Sequence, residues 1–173
     1  MTIRTETEDT VGWIIIDRPE QKNALTTAMW DDIPRAVAKL EADDSVRAII
    51  LRGAGDDAFA AGADIRELHQ MGDDPKALAD FEEKFEAAQA SLEECSKPVI
   101  AAIQGPCMGG GLALALACDM RMAAVEATFA IPAARLGLGY AAPAVARLTR
   151  AVGPTHAFEI LVTARRYDCP RAR

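Results

Sequence analysis

Hydrophobic positions along the chain follow two rhythms that alternate from end to end. Val11–Asp17 (VGWIIID) is a β-branched run closed by Arg18-Pro19, which predicts a strand and a turn. Over Thr26–Leu40 the apolar positions Met29, Ile33, Val37 and Leu40 recur at helical spacing, while Pro34 predicts a kink or two shorter helices. Val46–Leu51 reads as a second buried strand, followed by a Gly/Asp-rich loop over Gly53–Asp57. Phe59–Ala63 leads into a short helix near Asp64–Gln70. Asp73-Asp74-Pro75 then opens a long helix to about Cys95, with Asp at the N-cap region and Pro in the first turn. That helix carries an apolar stripe (Leu78, Phe81, Phe85, Ala88, Leu92) that a domain of this size is expected to bury. After Lys97-Pro98, Val99–Gln104 is a third strand, and Gly109–Gly111 start an Ala/Leu helix to about Cys118. Short strands are predicted near Met120–Ala123 and Thr128–Ile131, and helices over Ala142–Ala151 and Thr155–Val162. This alternation gives an α/β class with largely parallel pairing, in one domain over residues 1–173. By itself the pattern also fits a doubly wound sheet.

Composition narrows the partners. The 173 residues are 50% hydrophobic but only 5% aromatic, so the core is built from Ala, Ile, Leu and Val. A net charge of −7 disfavours nucleic acid or an anionic membrane as the main partner, without excluding an anionic ligand held by a few local basic groups. The four cysteines form no CxxC pair, and His69 and His156 are the only histidines, so no metal site is expected. The polar N-terminus lacks a signal-peptide core, and the longest apolar run, Leu112–Cys118, is far too short to cross a bilayer. A cytoplasmic protein with reduced thiols is the resulting expectation.

Two glycine-bearing strand ends carry the candidate chemistry. In Lys97–Asp119 (KPVIAAIQGPCMGGGLALALACD) a buried strand runs through a turn into three glycines and an uncharged helix. Free N–H groups and the positive end of the helix dipole there suit an anion or a developing oxyanion; alternatively, the glycines serve only tight helix–strand packing. In Phe59–Leu68 (FAAGADIREL) Gly62 closes the strand end and Asp64 caps the next helix. Two such turns can bring two backbone N–H groups onto one ligand oxygen, the geometry that enolate and acyl-transfer chemistry needs. Two unrelated turns would leave the same pattern.

Taken with DRPEQKNAL (Asp17–Leu25) and RLTRAVGPTHAFEILVTARR (Arg147–Arg166), these segments resemble the enoyl-CoA hydratase/isomerase, or crotonase, family in order and spacing over nearly the whole chain. The resemblance implies a spiral of ββα units and an acyl-CoA thioester as substrate, with coenzyme A part of the substrate and no separate cofactor. It implies a lyase or isomerase of fatty acid metabolism, assembled as a homotrimer or dimer of trimers. It places a backbone oxyanion hole at Ala63 and Gly110, with coenzyme A along Lys22–Leu25 (Lys22, Ala24, Leu25) and Ala61–Arg66 (Ala61, Asp64, Ile65, Arg66). Gly109, Ala113 and Ala133 complete the expected substrate contacts.

The chain departs from the family where acid and base belong. The two glutamates of family hydratases correspond to Ala113, two residues after Gly111, and Ala133, directly after Pro132. Alanine can neither activate water nor deliver a proton. Asp119 lies roughly 13 Å along the helix from Gly110, at ~1.5 Å per residue. Glu67 and His69 are nearby candidates, each with a solvated surface role as the alternative. Tyr140 is a candidate catalytic hydrogen-bond donor, with packing or surface exposure as its alternative, and Arg135 can engage a carboxylate or phosphate, or form a surface salt bridge. An acyl-CoA-binding subunit without catalysis, or another thioester reaction such as isomerisation or hydrolysis, are the competing functions. The helices with which the family continues beyond YDCPRAR are absent from this sequence, as in a fragment or a minimal variant.

Overall fold

The computed structural model describes residues 2–172. The three predicted strands lie side by side and parallel: β2 (Val11–Asp17), β3 (Ala48–Gly53) and β4 (Val99–Ile103). Ile14, Leu51 and Ala101 face one another in register across them and are fully buried. β6 (Met120–Ala123) adds beyond β4, and β1 (Thr2–Glu8) pairs antiparallel on the opposite edge, giving the order β1-β2-β3-β4-β6. Successive strands always add on the same side. A doubly wound sheet would reverse direction part-way, so that alternative is excluded.

β1 is absent from the sequence reading because its residues are polar. As an edge strand it is half solvated, and Arg4 is tied to Asp17 at 2.7 Å and to Glu6 at 2.6 Å. β3 begins two residues later than predicted: Val46 is buried but precedes the strand, its N–H donating to the Asp43 carbonyl.

The helices follow their predicted starts. α1 spans Thr27–Glu41 with Thr26 capping through its side chain, and it is one helix despite Pro34. Proline costs ~3 kcal/mol inside a helix. Trp30 and Ile33 before it and Val37 and Leu40 after it are all nearly inaccessible, and each buried side chain contributes about 1.5–3 kcal/mol, so packing outweighs the break. α2 (Ile65–Met71) is capped by Asp64 and α3 (Pro75–Glu93) by Asp74. The α3 stripe meets α1 within the same chain: Ala88 and Leu92 are buried, and Phe81 and Phe85 pack edge-on against Trp30 at 6.5 and 5.0 Å between centroids. α4 (Gly110–Ala117) is apolar all round, and seven of its eight residues are buried. The last helical stretch, α5 (Ala142–Thr163), is two helices joined at Gly153 (φ 76°, ψ 162°) and Pro154, as predicted. Buried Arg147 clamps α5 to α3 through Glu86 (2.6 Å) and Glu93 (2.8 Å).

A second, three-stranded sheet, unforeseen in part, brings the two glycine turns together. β5 (Pro106–Met108) pairs parallel with β7 (Thr128–Ala130), which pairs with β8 (Tyr167–Asp168). Isolated bridges attach the 60–63 segment to it on one side (Ala60 with Cys107) and to Leu25 on the other (Leu25 with Ala63).

Asn23 locks the turn that leads to Leu25. It is 1% exposed with φ 56°, its amide donates to the Ala54 and Ala58 carbonyls (3.0 and 2.8 Å), and its oxygen accepts the Arg18 N–H (3.0 Å). Asn23→Ala would leave those buried groups unsatisfied, at about 1–3 kcal/mol for each unsatisfied group. The variant is expected to lose about 2–4 kcal/mol in a denaturant titration; a shift below about 0.5 kcal/mol would show that water replaces the amide at no cost.

Candidate active site

Five strand-like contacts hold the Ala60–Asp64 segment in place, the first from the Ala60 N–H to the Pro106 carbonyl (3.2 Å). Ala61 donates to the Lys22 carbonyl (2.9 Å) and Leu25 to the Gly62 carbonyl (2.8 Å), Asp64 donates to the Leu25 carbonyl (2.8 Å), and Met108 donates to the Ala60 carbonyl (2.9 Å). The N–H of Ala63 is skipped by this pattern and has no acceptor among the described residues. The N–H of Gly110, first residue of α4, has none either, as expected at a helix N-terminus.

The two amides adjoin. Gly62 has φ 100°, and a Cβ placed on it would lie 3.3 Å from the Gly110 nitrogen and 2.9 Å from the Met108 carbonyl oxygen. Gly110 is itself tightly enclosed: a Cβ there would meet the Trp30 ring at 2.8 Å and Phe85 at 3.2 Å. The glycine run therefore serves close packing and also leaves a free donor.

Both amides belong to the wall of a cavity of about 490 Å³. Of the expected site residues, Ala61, Ala63, Ile65 and Gly109 line it with Gly110, and Ala133 and Tyr140 line it from the 131–141 segment. Lys22, Ala24, Leu25, Asp64, Arg66 and Ala113 do not. Leu25 is buried and acts through its backbone, Lys22 and Arg66 are exposed, and Ala24 is partly buried with its carbonyl accepting from Arg18 (3.1 Å). Ala113 is only 2% exposed on the first turn of α4, where its methyl group stops short of the wall.

Asp64 anchors the turn. Burial pushes its carboxyl upward, but the Arg18 guanidinium (2.6 Å) and the Arg66 N–H (2.8 Å) outweigh this and hold it below the usual carboxylate range. The other candidate polar residues are placed elsewhere. Glu67 accepts the Thr27 N–H and hydroxyl (2.7 and 2.9 Å), Asp119 accepts the Val99 N–H (2.8 Å), and His69 and Arg135 are exposed and outside the cavity. Tyr140 alone of these reaches it, with its hydroxyl 3.5 Å from the Gly109 carbonyl. Burial pushes its pKa well above the ordinary phenol value, so it stays protonated and keeps an O–H to donate.

One polar wall residue escapes the sequence reading: Glu82, on α3. Its signal was present, since it falls within the Leu78–Phe81–Phe85 face. A larger cavity of about 670 Å³, between α4, α5 and the small sheet, includes none of the expected site residues.

Comparison with known proteins bears on this geometry. The family model for enoyl-CoA hydratase/isomerase matches residues 6–173. The chain belongs to that family. It is 39% identical over 166 residues to a mitochondrial enoyl-CoA hydratase of Pongo abelii, covering 95% of this chain and 55% of the relative. It is 35% identical over 181 residues to a peroxisomal Δ3,5-Δ2,4-dienoyl-CoA isomerase of Arabidopsis thaliana, covering 99% and 65%. Among solved structures, an enoyl-CoA hydratase/carnitine racemase of Magnetospirillum magneticum superposes with a TM-score of 0.94 at 37% identity, covering 98% of this chain and 64% of that one. An enoyl-CoA hydratase of Polaromonas sp. JS666 gives a TM-score of 0.92 at 28% identity, covering 99% and 66%. The fold is thus the α/β crotonase fold, and the chain spans a little more than half to two thirds of the length of these relatives. Among the described residues no helix is long and apolar enough to cross a membrane.

Proposed function

We propose that the cavity binds an acyl-CoA thioester, whose carbonyl oxygen accepts hydrogen bonds from the Ala63 and Gly110 N–H groups. The carrying observation is that these two unpartnered amides, from segments far apart in sequence, stand beside each other at one cavity wall. Negative charge that develops on that oxygen when the α-carbon loses a proton, or when a nucleophile adds at the β-carbon of an enoyl thioester, would fall on donors already in place, and at the positive end of α4. Lys22 and Arg66, exposed and without ion pairs among the described residues, are the cations available for the phosphates of coenzyme A. The Tyr140 hydroxyl is a further donor near the acyl group.

Ordinary hydration asks for more than this. It needs one group to activate water and another to move the proton, and Ala113 and Ala133 can do neither. The reading is therefore an enoyl-CoA hydratase/isomerase-type site that binds and polarises its thioester with hydratase turnover reduced to a trace. Binding without catalysis is the second reading, favoured by the same two alanines. The trimeric assembly and cytoplasmic setting implied by the resemblance belong to this proposal.

The test is to titrate butyryl-CoA calorimetrically and, separately, to follow loss of enoyl-thioester absorbance with crotonyl-CoA. Binding with trace hydration is expected. No binding would overturn the site assignment, and hydration at the rate of a glutamate-bearing enzyme would overturn the reading of the alanines.

A further inference from the structure

Tyr140 and Glu82 are the only polar side chains in the wall of the 490 Å³ cavity among the described residues; the rest of the lining is apolar or glycine. Glu82 shares its face of α3 with Leu78 and Phe85, four and three residues away, the offsets that place side chains together on a helix, and Phe81 lines the same cavity beside them. Of the other acidic side chains of α3, Asp80 pairs with Lys84 at 2.6 Å and Glu86 and Glu93 with Arg147, while Glu83 is exposed and lies outside the cavity wall. Glu82 makes no ion pair or side-chain hydrogen bond among the described residues, and its neighbours one turn away, Leu78, Ala79, Phe85 and Glu86, include no cation. Glu82 is exposed, so its carboxylate stands at the solvent rim of the cavity, where it has no partner among the described residues.

Its position along the cavity says what it faces. The Phe85 ring abuts Gly110, within 3.2 Å of a Cβ built there. Glu82 lies three residues earlier, about 4.5 Å along the helix axis at ~1.5 Å per residue, and its side chain leans further toward the N-terminus of α3. The carboxylate is thereby displaced from the Gly110 amide by more than a hydrogen bond, so on the acyl-CoA reading it meets a part of the ligand other than the thioester oxygen.

We propose that Glu82 is a specificity determinant for the far part of the acyl chain, favouring an acyl-CoA that carries a cation there and disfavouring one that carries a carboxylate. This rests on the acyl-CoA reading of the site. A carboxylate at the rim of an apolar cavity attracts an ammonium and repels a second carboxylate, while an unsubstituted chain is bound by Leu78, Phe81 and Phe85 whatever the charge.

The test compares dissociation constants of hexanoyl-CoA, ω-aminohexanoyl-CoA and adipoyl-CoA, equal in chain length and different only in terminal charge, for the native protein, Glu82→Gln and Glu82→Lys. The native protein is expected to bind the amino compound about two- to fivefold more tightly than hexanoyl-CoA, and adipoyl-CoA weaker by a similar factor, the size of a partly exposed charge interaction. Glu82→Gln should collapse the three values together, and Glu82→Lys should invert their order, each value being taken relative to hexanoyl-CoA in the same variant. If none of the three binds, the acyl-CoA reading falls and this proposal with it. If hexanoyl-CoA binds but the native ranking is flat, or Glu82→Gln keeps the ranking, the acyl-CoA reading stands and the role of Glu82 is overturned. The same holds if Glu82→Gln lowers turnover while leaving the ranking intact, which would make Glu82 a proton-transfer group instead.

Discussion

Ala113→Glu combined with Ala133→Glu is expected to raise crotonyl-CoA hydration by at least about 10²-fold, since each general acid or base contributes roughly 10²–10⁴-fold. Ala133 already stands in the cavity wall, so a carboxylate there needs no rearrangement. Ala113 is buried, yet it lies outside the main hydrophobic cluster, unlike its neighbours Leu112 and Leu114. Side chains on a helix lean toward its N-terminus, so a glutamate at 113 would extend toward Gly109 and Gly110, which do line the cavity. Loss of enoyl-thioester absorbance measures the gain, and each single variant should fall well short of the pair because the two groups act on one proton transfer and one water. A double variant that binds butyryl-CoA and remains at the native rate would show that the pocket differs from a hydratase in more than two side chains.

Gly62→Ala should do the reverse. At φ 100° an L side chain is strained by about 1–3 kcal/mol, and the new methyl would sit 2.9 Å from the Met108 carbonyl oxygen and 3.3 Å from the Gly110 nitrogen. The substitution therefore wedges apart, or covers, the two donors assigned to the thioester oxygen. Losing one such donor typically costs about 10²–10³ in rate. Introduced into the Ala113→Glu, Ala133→Glu background, it is expected to lower turnover by that factor. Gly139→Ala serves as the stability control, since Gly139 has neither a positive φ nor any atom within 4 Å of the added carbon. Unchanged turnover in a folded Gly62→Ala protein would remove the oxyanion from this corner of the cavity.

The two predictions use parts of the molecule that were unequally legible beforehand. The helix caps at Thr26, Asp64 and Asp74, the three parallel strands and the break at Gly153-Pro154 all follow from local chemistry, where a residue's own backbone preference decides. Pro34 misled because its local preference was outweighed by the four core side chains around it, a sum that only packing reveals. β1 was hidden because an edge strand has no need of an apolar face, and β5 and β8 because they are two or three residues long.

For the candidate site the sequence by itself determined the parts: two glycine-bearing strand ends, an acidic helix cap after one of them, alanine at positions 113 and 133, where the resemblance implies glutamate, and the family itself. What only the tertiary structure decided is their arrangement. The Ala60–Cys107 and Leu25–Ala63 bridges set Gly62 against Gly110, and hydrogen bonds to Thr27 and Val99 occupy the carboxylates of Glu67 and Asp119. The packing of α3 on Trp30 sets Glu82 at the rim of the cavity that Phe81 and Phe85 line. The physical reason is that whether an amide is free or a carboxylate unpaired depends on partners tens of residues away, and pairing between distant segments leaves no periodicity for a local pattern to carry.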